Sequence, residues 1–562
     1  MTGLRHDKRG QDSGFSRREV LRNLGRRTAA GMLIASSAAA CSKPLTAQPT
    51  SGDDATLAKI LADPQPHIFR RETPYQLTRP LRISGGKQVT IDPNTRFIWQ
   101  GPESAKEGFV AIFEVVGDNV AIQVLHGGEA IVECPRPCPL VYAVGMRGHR
   151  GLTITGIQAN ECQHVRIDSS ASAYERVQTS GTDRNIAIDI RIVGGGARYR
   201  SQSRAGDGAC RFAYAENCEI VGAHYENVSH GVQWWGGDAG LEQWQNGRAD
   251  NERKCRNILI HEVSVRNALG GGIWGSMGRD IVVRDCFVDT ALDVGFDAEG
   301  SSNVLFDRCT ARNGHNGCFT MFALCDEIHL NNCHGLVDNK SFPLVRVYNS
   351  GLSNVDNKLV NIVGGTFECS DHTGPSSIDS ASGPVQNMII ERANLRNVRI
   401  DTAFYNMHHT RIVGNDLTFP YAFEKSAIRA GSSKTLQTRT GIVAGSVVIE
   451  NNVVRYMTDD RTTPATAISV REDDFNGSAT IRIQDNTVTG PFATGIAVTN
   501  ATANVGIVPQ FEISRNRFIG MLATGRLLSV LREGPHASAP DVHWQAGQTR
   551  DGRAVSLHEA LD

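Results

Sequence analysis

Lysine is scarce in this chain. Beyond residue 74 it occurs only at Lys87, Lys106, Lys254, Lys340, Lys358, Lys425 and Lys434, and arginine carries the remaining positive charge. Chemistry that needs a lysine base must draw on that short set. An excess of charge of one sign is also missing. The net charge is −1, so there is no global basic field and nucleic acid is excluded as a partner. After the first forty residues no apolar run is long enough to cross a bilayer. Long helical periodicity is absent, which excludes a helical bundle.

What is present begins with an address. Ser16-Arg17-Arg18-Glu19-Val20-Leu21-Arg22 has the form of a twin-arginine export signal, followed by a mildly apolar run from Thr28 to Ala40. Residues 1–40 are therefore expected to be the signal. Ala38-Ala39-Ala40-Cys41 reads in two ways: as a lipobox with Cys41 lipidated, or as an ordinary cleavage site before a cysteine. Either reading exports the protein, to the periplasm or to a membrane as an anchored lipoprotein.

Thirteen cysteines in an exported chain suggest disulfides. Cys286, Cys309 and Cys333 instead recur at one place in successive repeats (RDC, DRC, NNC). They are expected to form an interior ladder of small buried side chains. No C-x-x-C or H-x-x-x-H spacing accompanies them, which argues against zinc. Cys134 and Cys138, in CPRPC, are the best disulfide candidates.

The rest of the chain repeats with a period of about 23 residues. The unit is a short alternating strand, a polar turn and another strand, then Asn or Asp with Gly. RNILIHEVSVRNA (256–268), RDIVVRDCFVDTA (279–291) and SNVLFDRCTARNG (302–314) are successive copies. Short β-branched strands at this period predict a parallel β-helix, with Asn and Gly where turns need left-handed backbone. Leucine-rich repeats would place Leu at fixed positions, and a propeller would need a period near 40. Residues 41–74 are expected to hold a linker and an N-terminal cap, with a short helix over 54–63. Residues 75–520 are expected to form the solenoid, and 521–562 a C-terminal cap or tail.

Coil period and Asn and Cys ladders make residues 75–520 resemble the pectin-lyase-like right-handed parallel β-helix superfamily. The resemblance implies an all-β fold and a carbohydrate-active enzyme: polysaccharide lyase, glycoside hydrolase or epimerase, with adhesins among the members. The motifs of individual subgroups are missing. N-T-D-G, G-H-G and R-I-K are absent, as are W-x-D-H, R-x-P-x-x-R and D-P-H-D.

The most informative stretch is VDTALDVGFDAEGSSNVLFDRCTARNGHNG, with Asp293, Asp297 and Glu299 at i, i+4 and i+6. On one strand all three would point to the same face. Stacking HGVQWWGGD, GGIWGSMG, VGFDAEGS and NGCFTMF turns Val232, Ile273, Phe296 and Phe319 inward. Gln233, Trp274, Asp297 and Thr320 then face outward, and so do Trp235, Ser276, Glu299 and Phe322. Four of the six tryptophans, Trp234, Trp235, Trp244 and Trp274, gather here. Sugar rings stack on aromatics while their hydroxyls bond carboxylates. Asp297 and Glu299 are thus the expected catalytic pair of a glycoside hydrolase, with Asp293 tuning or binding. At i and i+2 they stand about 7 Å apart, which weakly favours inversion. Trp235, Trp274, Gln233, His230, Ser276, His315, Asn316 and Thr320 are expected to bind a polysaccharide or oligosaccharide. An inserted loop, 236–255, could wall the cleft with Asp238, Glu242, Trp244, Arg248, Asp250, Asn251 and Arg253.

The competing chemistry is β-elimination from a uronic acid by a polysaccharide lyase. D-V-G-F-D (293–297) resembles the D-D-G-F-D calcium motif of one pectate lyase family, with Val294 in place of an acid. A calcium ion would use Asp293 and Asp297, and otherwise no cofactor is expected. The base would be Lys340 or Arg346. A third reading is a non-catalytic carbohydrate-binding protein, which would spread its aromatics along the solenoid.

Overall fold

The computed structural model describes residues 53–63, 67–70, 72–104, 109–173, 185–201, 207–239, 253–348, 357–382, 385–402, 406–431, 445–472, 480–500, 510–532, 540–545 and 547–561. The export signal, Cys41, Glu242, Trp244, Arg248, Asp250 and Asn251 lie outside them. Among the described residues no helix is long and apolar enough to cross a membrane.

Strict alternation builds the coils. Ile258 and Ile260, Ile281 and Val283, and Val304 and Phe306 are buried and pair in register from coil to coil, as a two-residue period requires. Each full coil holds three strands. Gly278–Arg284, Phe287–Ala291 and Val294–Glu299 are followed by Ser302–Asp307, Thr310–Gly314 and Gly317–Phe322. Every strand pairs parallel with its counterpart in the next coil. One face forms a 17-stranded sheet, and a single apolar core runs inside the stack from Leu57 to Ala560. The architecture is the expected right-handed parallel β-helix.

The ends are covered. Helix α1 (Asp54–Ala62) buries Leu57 and Leu61, and its Asp54 carboxylate accepts the Thr78 N–H at 2.9 Å. The stack runs past both expected limits. His67–Phe69 already pairs with Gln88–Ile91, ahead of Tyr75. At the far end Arg526–Arg532 pairs with Thr494–Asn500, and Asp541–Trp544 with Gln510–Ser514. Consecutive Leu527 and Leu528, both buried, hide the alternation there. A small antiparallel pair, Thr549–Arg550 with Arg553–Ala554, and helix α2 (Leu557–Leu561) follow.

Turn chemistry follows the backbone. Asn257, Asp280 and Asn303 hold φ of 52°, 58° and 49° at equivalent places in successive coils. Asn and Asp tolerate this left-handed region best after glycine. Another turn position faces the interior. In the middle of the stack it carries Cys286, Cys309 and Cys333, whose thiols donate to the carbonyls of Ile260, Val283 and Phe306. Further on it carries Asn415, Asn452, Asn486 and Asn516, each amide bonding the next across coils. The expected cysteine ladder is therefore present. Burial pushes the Cys286 and Cys309 thiols well up. The expected disulfide is not formed: Cys134 and Cys138 are free, buried thiols, like the other described cysteines.

Candidate active site

Nine strands define the outer face that matters. They are β1 (Gly208–Ala213), β2 (His230–Trp235), β3 (Ile273–Ser276), β4 (Val294–Glu299), β5 (Gly317–Phe322), β6 (Val345–Tyr348), β7 (Ser376–Ser382), β8 (Val398–Asp401) and β9 (Ser426–Gly431). The expected register holds residue for residue from β2 to β5. Gln233, Trp274, Asp297 and Thr320 pair in one row, and Trp235, Ser276, Glu299 and Phe322 in the other. Val232, Ile273, Phe296 and Phe319 are fully buried beneath them, with the Phe296 and Phe319 rings stacked at 5.1 Å.

Trp234 points into the core, and its indole N–H donates to Ser301 Oγ at 3.3 Å. Gly275, its partner on β3, leaves room for the ring. A Cβ there would lie 2.2 Å from the indole and 2.3 Å from the Trp234 carbonyl oxygen. The carbonyl belongs to a paired strand and cannot retreat. Gly275→Ala is expected to cost about 1–3 kcal/mol by overpacking, read as an earlier midpoint in urea unfolding.

The outward aromatics form one cluster. The Trp274 ring lies 5.1 Å from His230 and 6.4 Å, edge-on, from Trp235. The Arg211 guanidinium sits 5.6 Å over Trp235. His230 Nδ1 accepts the Gly271 N–H at 2.8 Å, which fixes its ring against Trp274. Gly270 and Gly271 permit this approach, since a Cβ on either would lie within 2.6 Å of these rings.

This face is covered, where alternation alone suggests an open surface. Ser276, Asp297 and Thr320 are 0% exposed and Glu299 is 7% exposed. Several expected sugar contacts bond the protein's own backbone. Gln233 Oε1 accepts the Gly208 N–H at 3.1 Å, and Ser276 Oγ accepts the Ala239 N–H at 3.1 Å. Thr320 Oγ1 donates to the Phe296 carbonyl at 3.3 Å. Arg253, at the end of the inserted loop, is buried and donates to the Gly300 and Leu324 carbonyls.

The three acids do not share one strand. β4 begins at Val294, and Asp293 lies in the bend before it. The side-chain amide of Asn316 donates to Asp293 Oδ1 at 2.7 Å, and the Asn316 backbone N–H bonds the Asp293 carbonyl. Asp293 and Asn316 thus pin one turn to the next. Among the described residues no group of three or more His, Cys, Asp or Glu could hold a metal ion. The His315 ring stacks on Phe342 at 4.3 Å, and burial lowers its pKa.

The two expected lyase bases separate. Lys340 stands in a turn, donating from Nζ to the Thr373 carbonyl at 3.0 Å and from its backbone to Asp371. Arg346 is on β6 opposite Thr320, two coils along the row from Asp297.

The row also continues beyond the four strands that the Gly-apolar step aligns. Before Gln233 it carries Arg166 and Arg211, both paired with Asp207. After Arg346 it carries Asp379, Asp401 and Arg429. A signal for them exists in the sequence: Ser377-Ile378-Asp379 and Arg399-Ile400-Asp401 repeat the step of a buried apolar residue between two polar ones.

No family model matches the sequence, and no curated protein does. Among solved structures, pre-mature bacteriophage phi29 gene product 12 is 10% identical with a TM-score of 0.52, covering 96% of this chain and 77% of that one. The catalytic domain of a GH87 α-1,3-glucanase in complex with nigerose is 10% identical, TM-score 0.32, covering 90% and 70%. An exopolygalacturonase from Thermotoga maritima is 10% identical, TM-score 0.27, covering 89% and 97%. Identity this low speaks to fold alone. Three parallel strands per coil, ladders of Cys and Asn, and an unbroken apolar interior make this chain a right-handed parallel β-helix.

Proposed function

We propose that the protein is an exported, polysaccharide-degrading glycoside hydrolase in which Asp297 and Glu299 act as the carboxyl pair. One observation carries the reading. Two carboxylates stand at alternate positions of β4, in register with Trp274 and Ser276 of the preceding coil, beside the Trp274, Trp235 and His230 rings. One carboxyl would protonate the leaving glycosidic oxygen and the other would serve water or the anomeric carbon. Trp235 and His230, each half-buried, offer ring faces to a sugar, and buried Trp274 lies against both.

Elimination is the second reading, because Arg346 lies on the same row. It is disfavoured because a guanidinium carries only donors and has no acceptor with which to take a proton. Export rests on the twin-arginine motif, with Cys41 as the candidate lipid anchor. Free buried thiols suit a protein that folds before leaving a reducing compartment.

A panel of plant, algal and bacterial glycans, assayed for both product types, tests the reading. Hydrolysis is expected to release reducing ends without absorbance near 235 nm and to survive EDTA. Unsaturated products lost on chelation would replace it with a calcium-assisted lyase.

A further inference from the structure

Beyond Arg346 the row carries a second arrangement of carboxyl groups. Asp379 on β7 pairs in register with Asp401 on β8, and Ser377 with Arg399, so four polar side chains form a square over buried Ile378 and Ile400. Arg346 closes one side and Arg429 the other. Ser377 Oγ donates to Asp379 Oδ2 at 2.7 Å. Arg399 Nη2 stands 2.9 Å from Asp401 Oδ2, and Arg429 Nη1 stands 3.8 Å from the same oxygen.

The two acids sit in unlike settings. Asp401 is 3% exposed, ion-paired through Oδ2, and its buried Oδ1 has no hydrogen-bond partner among the described residues. Arg346 Nε is likewise buried without a hydrogen bond. Among the described residues neither atom has the hydrogen-bond partner that a closed structural network would give it. Burial raises the pKa of Asp379, against the pull of Arg346, Ser377 and Arg399, while Asp401 pushes it further up. Two neighbouring carboxyls whose surroundings differ are what an acid and a base require.

We propose that Asp379 and Asp401 form a second glycosidic-bond-cleaving pair on this outer face, three coils from Asp297. The proposal rests on the glycan reading above. Asp379 gives its proton to the leaving oxygen as the anomeric C–O bond breaks. Asp401 takes a proton from the water whose oxygen forms the new C–O bond. One water is consumed, two hydroxyl ends appear, and solvent exchange resets both carboxyls. At about 4.8 Å per coil the two pairs lie about 14 Å apart, within reach of one oligosaccharide lying along the stack.

The test uses the full chain. Its probes are the panel polysaccharide that yields reducing ends and the 2,4-dinitrophenyl glycoside of that sugar. In an Asp297→Asn background, where the first pair is silent, Asp379→Asn is expected to slow polymer cleavage at least about 100-fold. It should largely spare the dinitrophenyl glycoside, whose leaving group needs no proton, and flatten the alkaline limb of the pH profile. Asp401→Asn should slow both probes. Ser377→Ala keeps the test open if the asparagine variants misfold. Losing its hydrogen bond raises the Asp379 pKa, so the alkaline limb should move to higher pH, which a purely structural serine would not cause.

Full polymer cleavage by the Asp379 and Asp401 variants, with loss in Asp297→Asn, would overturn this proposal and leave the first pair standing. Loss in Asp379→Asn and Asp401→Asn, with Asp297→Asn and Glu299→Gln active, would support it and remove the first pair. An unmoved pH limb in Ser377→Ala would count against it, and a wild type cleaving neither probe would overturn both.

Discussion

In an Asp379→Asn background, which leaves only the first pair to act, Asp297→Asn is expected to slow glycan hydrolysis by about 100- to 10,000-fold, the range for removing a positioned acid or base. Asparagine keeps the shape of the side chain. The packing around a residue 0% exposed should therefore survive, and circular dichroism should match the wild type. Glu299→Gln should fall by a similar factor, because each carboxyl is needed in the same turnover and the two effects do not add. Asp293→Asn is the informative contrast. Asp293 sits in the bend with Asn316 and not on β4, so its loss should cost less than about tenfold, through loosening of the turn. The measurement is the initial rate of reducing-end release. Wild-type rates in both the Asp297 and Glu299 variants would remove β4 from the mechanism.

Asn452→Leu is expected to cost about 3–5 kcal/mol of stability. The Asn452 side chain accepts two bonds from Asn415, through the backbone N–H and the side-chain amide, both at 3.0 Å. It donates to the Ile412 carbonyl at 2.9 Å and to Asn486 Oδ1 at 3.0 Å. Leucine fills the volume and serves none of these groups. The Asn415 N–H and the Ile412 carbonyl lose these partners inside the stack, and each orphaned group costs about 1–3 kcal/mol. A solenoid coil touches mainly its neighbours, so the damage should be local. Hydrogen exchange is expected to quicken first in Asn406–Val413 and Ser446–Glu450, ahead of global unfolding. Asn451→Gly is the control. Asn451 holds a φ of 56°, which glycine adopts freely, and little change is expected. Uniform loss of protection along the whole stack would contradict the neighbour-only picture.

The sequence alone determined the fold and the register of the site. Period-two alternation assigns each residue to the inside or the outside, and a repeat near 23 residues sets which residues stack. Both are local properties, so the Gly-apolar step is enough to align Val232, Ile273, Phe296 and Phe319. The cysteine ladder was legible for the same reason. Three matters belonged to the tertiary structure. Whether an outward face meets solvent depends on distant segments, and here Ser276, Asp297 and Thr320 are enclosed. Where a strand begins depends on bonds to the next coil, and Asn316 holds Asp293 off β4. Which groups become neighbours across uneven coil lengths depends on loops that stretch the period. That stretching, 33 residues from Arg346 to Asp379, hid that Asp379 and Asp401, opposite one another in the stack, continue the row of Asp297. Alternation is written residue by residue, whereas enclosure and pairing across irregular coils are properties of the packed whole.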